Sequence, residues 1–404
     1  MSKFAPINEQ MDLIRRGTTE IISEEELFKR LENSLSRNKP LIVKLGCDPS
    51  RPDLHIGHSV VLKKLRHFQD LGHQSVLVIG DFTALIGDPS GRNKTRPHLT
   101  SVQVDKYAET YIDQAGRILK LNNLRIVRNS NWLGKLNFYD IIKLSSHYTV
   151  ARMLERDDFE KRYKNKVPIS IHEFLYPLAQ AMDSVELTSD IELGGTDQKF
   201  NLLVGRHLQK DFGQAPQIVI TTPLLEGTDG IRKMSKSYDN YIGITETPSE
   251  MYGKTMSIPD NLIHRYFLFA TDIEENKINE ITVKMNSGDI NPRDVKRELA
   301  RNIVELYYDK KLADYAEKDF DKIFLKSETP ENINEWSAGS NKATILSIMC
   351  DSKLIESKRE ARRLINQGAV SINNNKIKDI TEMIDLTSSV VLKVGKRKFL
   401  RIVS

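Results

Sequence analysis

Apolar residues in the first 225 positions recur with two alternating periods. Short continuous runs such as Leu41-Ile-Val43 and Val76-Leu-Val-Ile79 have the pattern of buried strands. They predict strands over 41–46, 75–80, 125–128, 191–194 and 217–222. Between the runs, apolar residues return every three or four positions. Val61, Leu65 and Phe68 share one helix face, and so do Val104, Ala108, Tyr111, Ala115 and Ile118. Helices are therefore predicted over 57–71 and 101–121, with another over 199–211. Residues 1–40 read as a mostly helical lead-in, with Leu27, Leu31 and Leu35 in register. Residues 132–190 and 248–324 read as largely helical, and 226–240 as a polar loop. Strands alternating with helices of this length predict βαβ units and an α/β fold with a parallel sheet.

The last quarter of the chain changes character. Residues 326–340 have the composition of a linker. Helical patterning over 344–350 and 358–367 then gives way to short strands over 369–372, 390–394 and 399–403. The 404 residues carry a net charge of +5. Residues 341–404 hold 13 Lys and Arg against 6 Asp and Glu, a balance of +7, while the preceding 340 residues stand at −2. A basic module on a near-neutral body points to a polyanion, and nucleic acid is the commonest one.

Composition removes several classes. With 39% hydrophobic and 28% charged residues the chain has material for a sizeable core and is not of disordered type. No apolar run approaches the ~18 residues of a membrane span, and the first residues lack a signal-like apolar stretch. A soluble, cytoplasmic protein is expected. Cys47 and Cys350 form no CxxC pair, which argues against a disulfide framework or a cysteine zinc site. No metal ligand set is expected.

Two motifs carry chemistry. Leu54-His55-Ile56-Gly57-His58 lies between a strand and a helix. A helix start after a parallel strand offers free N–H groups and a positive dipole end to an anion. Gly57, without a Cβ, lets a flat ring approach the backbone. His55 and His58, three residues apart, can both donate to charge developing on an attacked phosphate. Later, Lys233-Met234-Ser235-Lys236-Ser237 follows the last strand in a loop flanked by Gly227, Gly230 and Gly243. Two lysines three apart among hydroxyl residues suit a mobile clamp on a pyrophosphate leaving group. A third pattern is Tyr176, Gln180 and Asp183. Steps of four and three residues put a phenol, a carboxamide and a carboxylate on one helix face, where they can line a small polar pocket.

The two motifs, in this order, resemble the signatures of class I aminoacyl-tRNA synthetases. Asp48-Pro-Ser-Arg-Pro-Asp-Leu-His-Ile-Gly-His58, Gly87-Asp-Pro-Ser-Gly91, Tyr176-Pro-Leu-Ala-Gln-Ala-Met-Asp183 and Gly194-Gly-Thr-Asp-Gln198 are similar to the tyrosyl-tRNA synthetases over nearly the whole chain. The resemblance implies a Rossmann-like parallel-sheet catalytic domain over 1–225 with a helical dimer-interface insertion near 130–170. A helical domain with the lysine loop over 226–325, the linker 326–340 and a small α+β RNA-binding domain over 341–404 would follow. The last of these is similar to a ribosomal small-subunit protein fold.

The same resemblance implies roles. His55, His58, Lys233, Lys236 and Ser237 would serve catalysis. Asp48, Ser50, Gly57, Asp197 and Lys236 would contact ATP. Thr83, Asp88, Tyr176, Gln180, Asp183 and Gln198 would bind tyrosine, with Asp183 accepting from its phenol. Lys358, Arg359, Arg362 and Arg363 on one side of a helix, with Lys396, Arg397 and Lys398, would bind tRNA. Arg92, Lys94 and Arg96 form a basic loop that could reach pyrophosphate or the tRNA acceptor end. One departure stands out: many bacterial relatives carry a phenol-binding tyrosine four residues before the Asp48 position, and here that residue is Lys44. Arg92 stands where many relatives have lysine.

The implied activity is ATP-dependent formation of tyrosyl-adenylate and transfer to the 3′ end of tRNA(Tyr). ATP would arrive with Mg²⁺, and the working form would be a homodimer without a membrane. Three alternatives stay open at this point. A tryptophan-specific ligase is disfavoured by Asp183 and the basic tail. An RNA-binding protein without ligase activity is disfavoured by the intact motifs. A small-molecule nucleotidyltransferase of the same superfamily would not need the tail.

Overall fold

Five of the predicted apolar runs line up as one sheet. The computed structural model describes residues 4–49, 53–89, 99–324, 333–355, 357–373, 375–395 and 398–403. The chain divides into two units, residues 1–310 and 311–404. In the first unit β1 is Glu20–Ile22, β2 Ile42–Cys47, β3 Gln74–Ile79, β4 Leu124–Arg128, β5 Ile191–Gly195 and β6 Ile218–Thr222. Their order is β1-β6-β5-β2-β3-β4. The strands β2 to β6 are parallel, and β1 runs antiparallel along β6 with Ile21 opposite Ile220. The inner strands are buried on both faces, which is why they read as unbroken Val, Ile and Leu runs.

From β2 the chain steps outward through β3 to β4, then returns to the other side of β2 as β5 and β6. That reversal opens a crevice between β2 and β5 at the carboxyl ends of the strands, the place where such sheets bind ligands. The helix Ile56–Asp70 connects β2 to β3 and buries Leu62, Leu65 and Phe68. The helix Lys199–Asp211 connects β5 to β6 and packs beside Ile171–Leu187.

The lead-in is mostly helical, as expected, and β1 separates its helices Ile7–Arg15 and Glu24–Arg37. Three residues are too few to show a period in sequence. The helix predicted over 101–121 ends at Ala115, where Gly116 begins a turn that still buries Ile118 and Leu119. Residues 226–310 belong to the same unit as the sheet. Tyr307 Oη donates to Ser59 Oγ at 2.6 Å, and Tyr266 Oη to the Glu226 carbonyl at 2.7 Å. The stretch expected as linker contains a strand.

That strand, β7 (Glu335–Ser337), belongs to the second unit. There β8 is Lys342–Thr344, β9 Val370–Ile372, β10 Asn375–Lys376, β11 Met383–Asp385, β12 Val390–Val394 and β13 Lys398–Val403. A five-stranded sheet of order β10-β9-β12-β13-β7 and a two-stranded ladder of β8 and β11 enclose the helices Ile345–Asp351 and Lys358–Asn366. Ile348, Ala361, Ile365, Val370, Leu392 and Ile402 form its core. Among the described residues no helix is long and apolar enough to cross a membrane.

Candidate active site

The carboxyl end of β2 delivers Asp48 into the crevice. Its Oδ1 accepts from Thr83 Oγ1 at 2.7 Å and its Oδ2 from Tyr176 Oη at 2.9 Å. Thr83 is held over Asp48 because the chain turns at Gly80 after β3. A Cβ at Gly80 would overlap both the Asp48 carboxylate and the Thr83 hydroxyl. Only glycine allows that approach.

Tyr176, Gln180 and Asp183 lie on the helix Ile171–Leu187, as their spacing predicts. The start of this helix is fixed by a buried clamp. Ser170 N donates to Glu173 Oε1 at 2.9 Å, and Arg162 donates to both Glu173 oxygens at 2.5 and 2.9 Å. Asp183 is 3% exposed. Trp132 Nε1 donates to its Oδ1 at 2.9 Å and Asn129 Nδ2 to its Oδ2 at 3.4 Å. Asn129 also donates to Thr83 Oγ1 at 3.0 Å, so one chain of hydrogen bonds joins Asp183 to Asp48. Burial pushes the Asp183 carboxyl up to about 7, against the pull of Lys44 and of the Trp132 and Asn129 donors. A poised, buried acceptor of this kind can read a hydroxyl and is left unpaired by a ligand that lacks one.

On the other side, Gln198 Nε2 donates to Asp88 Oδ2 at 2.9 Å, and Asn201 Nδ2 donates to Gln198 Oε1 at 3.0 Å. Buried Arg156 lies 3.6 Å from Asp88 and 2.7 Å from Asp158, so the Asp88 carboxylate faces a fixed cation. Asp48 and Asp88, with the carbonyl end of Gln180, make this an acceptor-rich pocket suited to an ammonium group.

Both signature motifs reach the same crevice. His55 N donates to His58 Nδ1 at 3.2 Å, so that nitrogen carries no proton and Nε2–H is the remaining donor. The two rings lie 3.8 Å apart. Burial pushes His58 down to about 4, with Lys236 and Lys233 adding to the effect, and burial also holds His55 well below its ordinary value. Both imidazoles are therefore neutral donors at pH 7. A Cβ at Gly57 would come within 3.0 Å of the His55 ring and 3.4 Å of Met234 Cβ. Ile56 N donates to the Ile242 carbonyl at 2.9 Å, which ties the helix start to the chain after the lysine loop. Within the loop, Lys233 Nζ lies 3.1 Å from Asp197 Oδ2, and Lys236 pairs with Asp53 and stands 5.3 Å over the Tyr241 ring. Ser237 N donates to Ser235 Oγ at 3.2 Å.

The structure thus brings together His55, Gly57, His58, Lys233, Lys236 and Ser237 with Asp48, Asp197, Thr83, Asp88, Tyr176, Gln180, Asp183 and Gln198. Lys44 does not line the pocket as a hydroxyl would. It is buried in an ion pair with Glu192. Ser50, Arg92, Lys94, Arg96, Lys396 and Arg397 lie outside the described residues. In the second unit Lys358, Arg359, Arg362 and Arg363 are all exposed, opposite buried Ala361 and Ile365. Lys398 Nζ donates to the Leu354 carbonyl at 3.1 Å, close to the start of that helix. Sequence reasoning missed Gly80, Asn129, Trp132, Arg156 and Glu192. The place of Asn129 and Trp132 just past the carboxyl end of β4 was the one available signal.

Comparison with known proteins agrees with this geometry. The family described as tRNA synthetases class I (W and Y) matches residues 36–325, and the tyrosine–tRNA ligase SYY-like C-terminal domain matches 326–402. The chain is 52% identical to the tyrosine–tRNA ligase of Carboxydothermus hydrogenoformans, over 98% of this chain and 99% of that one. It is 53% identical to the tyrosine–tRNA ligase of Thermotoga maritima, over 98% and 97%. Among solved structures, tyrosyl-tRNA synthetase complexed with L-tyrosine from Archaeoglobus fulgidus has the same fold, with a TM-score of 0.63 at 23% identity over 77% of this chain and all of that one. A strand-switch crevice holding both signature motifs, full-length similarity and a matching C-terminal domain converge, and the chain belongs to the class I tRNA synthetases of the W and Y family, in its tyrosine–tRNA ligase group.

Proposed function

We propose that the chain is a tyrosine–tRNA ligase. The observation that carries this reading is Asp183, a buried acceptor fixed by Trp132 and Asn129 on one helix face with Tyr176 and Gln180 and joined through Asn129 and Thr83 to Asp48. The tyrosine phenol donates to Asp183, and its ammonium meets Asp88, Gln180 and Tyr176, with Thr83 and Gln198 holding those groups. ATP lies over Gly57, near Asp48, with its ribose at Asp197, and Ser50 keeps the ATP-contact role expected from sequence.

A tyrosine carboxylate oxygen attacks the α-phosphorus. The bond to the bridging oxygen breaks, pyrophosphate leaves, and tyrosyl-adenylate forms. Neutral His55 and His58 donate to charge developing on the α-phosphate. Lys233 and Lys236 leave Asp197 and Asp53 for the β- and γ-phosphates, and Ser237 assists. Mg²⁺ accompanies the ATP phosphates. A hydroxyl of the terminal tRNA ribose then attacks the tyrosyl carbonyl, and AMP leaves. Lys358, Arg359, Arg362 and Arg363, with Lys396, Arg397 and Lys398, grip the tRNA backbone.

A homodimer joined near 130–170 completes the reading. Phe138 and Ile171 are each 81% exposed, and Tyr139, Ile142 and Val150 are exposed with them. Apolar side chains of this size, bared on neighbouring helices, favour a covered interface. A cytoplasmic location fits the substrates. The test is ATP–pyrophosphate exchange with tyrosine, phenylalanine and tryptophan. Exchange with tyrosine alone is expected. Exchange with tryptophan, or with none of the three, would overturn the reading.

A further inference from the structure

Lys44, on β2, lies at the centre of a buried network that reaches the helix carrying the pocket residues. Its Nζ pairs with Glu192 Oε1 at 2.8 Å, and each side chain is 1% exposed. The same Oε1 accepts from Gln180 Nε2 at 3.1 Å. Glu192 Oε2 accepts from Ser184 Oγ at 3.1 Å and from Gln217 Nε2. An ionised carboxylate only accepts hydrogen bonds, so the amide of Gln180 must turn its NH₂ end to Glu192. A flipped amide would set its carbonyl oxygen against the carboxylate and lose a bond.

The consequence falls on the other end of the amide. Gln180 Oε1 is buried and has no hydrogen-bond partner among the described residues. A buried acceptor without a partner is unfavourable, and a ligand N–H group restores the bond. Glu192 can hold the amide this way only because Lys44 balances its charge; a lone buried carboxylate would take up a proton or reorganise. A displaced Glu192 would free Gln180 to present either end.

We propose that the Lys44–Glu192 ion pair is a positioning pair that locks the Gln180 carboxamide with its carbonyl oxygen as the end offered to the substrate, and so sets recognition of the substrate's α-ammonium group. The inference rests on the tyrosine ligase reading above. It also gives Lys44 a function distinct from that of a phenol-contacting hydroxyl: its ammonium is taken up by Glu192 and, at 3.5 Å, the Gln180 backbone carbonyl. The pair acts through Gln180 and touches no substrate atom.

The test compares ligands that differ in the ammonium group. Full-length protein is titrated by calorimetry with tyrosine, with tyramine, which keeps the ammonium, and with 3-(4-hydroxyphenyl)propionate, which lacks it. Wild type is assayed for tyrosine-dependent exchange in parallel. The variants are Glu192→Gln and the double apolar replacement Lys44→Met with Glu192→Leu. The double variant leaves no unpaired charge and guards against a fold that fails for that reason alone. Tyrosine and tyramine should each bind roughly tenfold or more weakly to the double variant, as loss of a hydrogen bond to a charged group implies. The propionate should stay within about twofold, and adding Gln180→Ala should weaken tyrosine no further. Equal weakening of all three ligands, or unchanged tyrosine binding, would overturn the positioning role while the ligase reading stands. Wild type that neither binds tyrosine nor exchanges with it would overturn both.

Discussion

Replacing Asp183 by Asn should make the protein less able to use tyrosine and shift its stability upward relative to wild type as the pH rises. The carboxyl is pushed up from 3.8 to about 7 by burial. Each pKa unit corresponds to about 1.4 kcal/mol, so keeping Asp183 ionised in the fold costs about 4 kcal/mol at pH 8. Because its folded pKa is raised, the native state holds the proton more tightly than the unfolded chain. Its contribution to stability is whole below pH 3.8 and is lost as the pH climbs through about 7. At pH 5 roughly 1.7 kcal/mol of the penalty is already incurred, which leaves about 2.6 kcal/mol to develop by pH 8. Urea unfolding of wild type and Asp183→Asn at pH 5 and pH 8 reads this directly, because titrations common to both proteins cancel. The variant's stability relative to wild type should rise by about 2–3 kcal/mol between the two pH values. A difference that is the same at both would refute the claim that burial sets this carboxyl. In the same variant tyrosine-dependent exchange should fall by about 10- to 100-fold in kcat/KM, since a hydrogen bond to an ionised acceptor is lost.

Four further outcomes are expected. His58→Ala should lower kcat of exchange about 10²- to 10³-fold and leave the KM for tyrosine nearly unchanged, which steady-state kinetics would separate. Glu173→Ala strands Arg162 in a 3%-exposed site and should cost about 3–5 kcal/mol of stability in urea melts. Joint charge reversal at Lys358 and Arg362 should reduce tRNA charging at least tenfold and flatten its salt dependence, with pyrophosphate exchange intact. Ile142→Asp should shift sedimentation from dimer towards monomer, and an unchanged dimer would move the interface elsewhere.

Sequence alone revealed those parts of the fold that repeat a period. The core strands were legible because parallel strands buried on both faces leave unbroken apolar runs, as in Val76–Ile79. Helix faces at Leu65 and Phe68, and at Tyr176, Gln180 and Asp183, followed from steps of three and four. What escaped was short or non-local. β1 and β7 have three residues each, too few for a pattern. Asn129 and Trp132 hold Asp183 across 54 and 51 positions, and beyond their place just after β4 nothing in sequence announces the contact. Glu192 looked like one polar residue in a strand; only the sheet register, which sets Lys44 opposite it, shows the pair. Gly80 had no local sign either, because its need comes from side chains that fold over it.

The strand β7 changes where the tail can be cut. It runs parallel to β13 with Trp336 opposite Ile402, and the Arg401 amide donates to the Asn334 carbonyl at 2.9 Å. Trp336 packs on the apolar core of the unit. A fragment begun at 341, where composition suggests the module starts, would strip this cover. The rim of β13 would be left as bare N–H and C=O groups beside an uncapped apolar surface, an invitation to pair with another copy and precipitate. A fragment begun before 334 keeps its own edge guard, and that choice decides whether the isolated tail can be studied in solution at all.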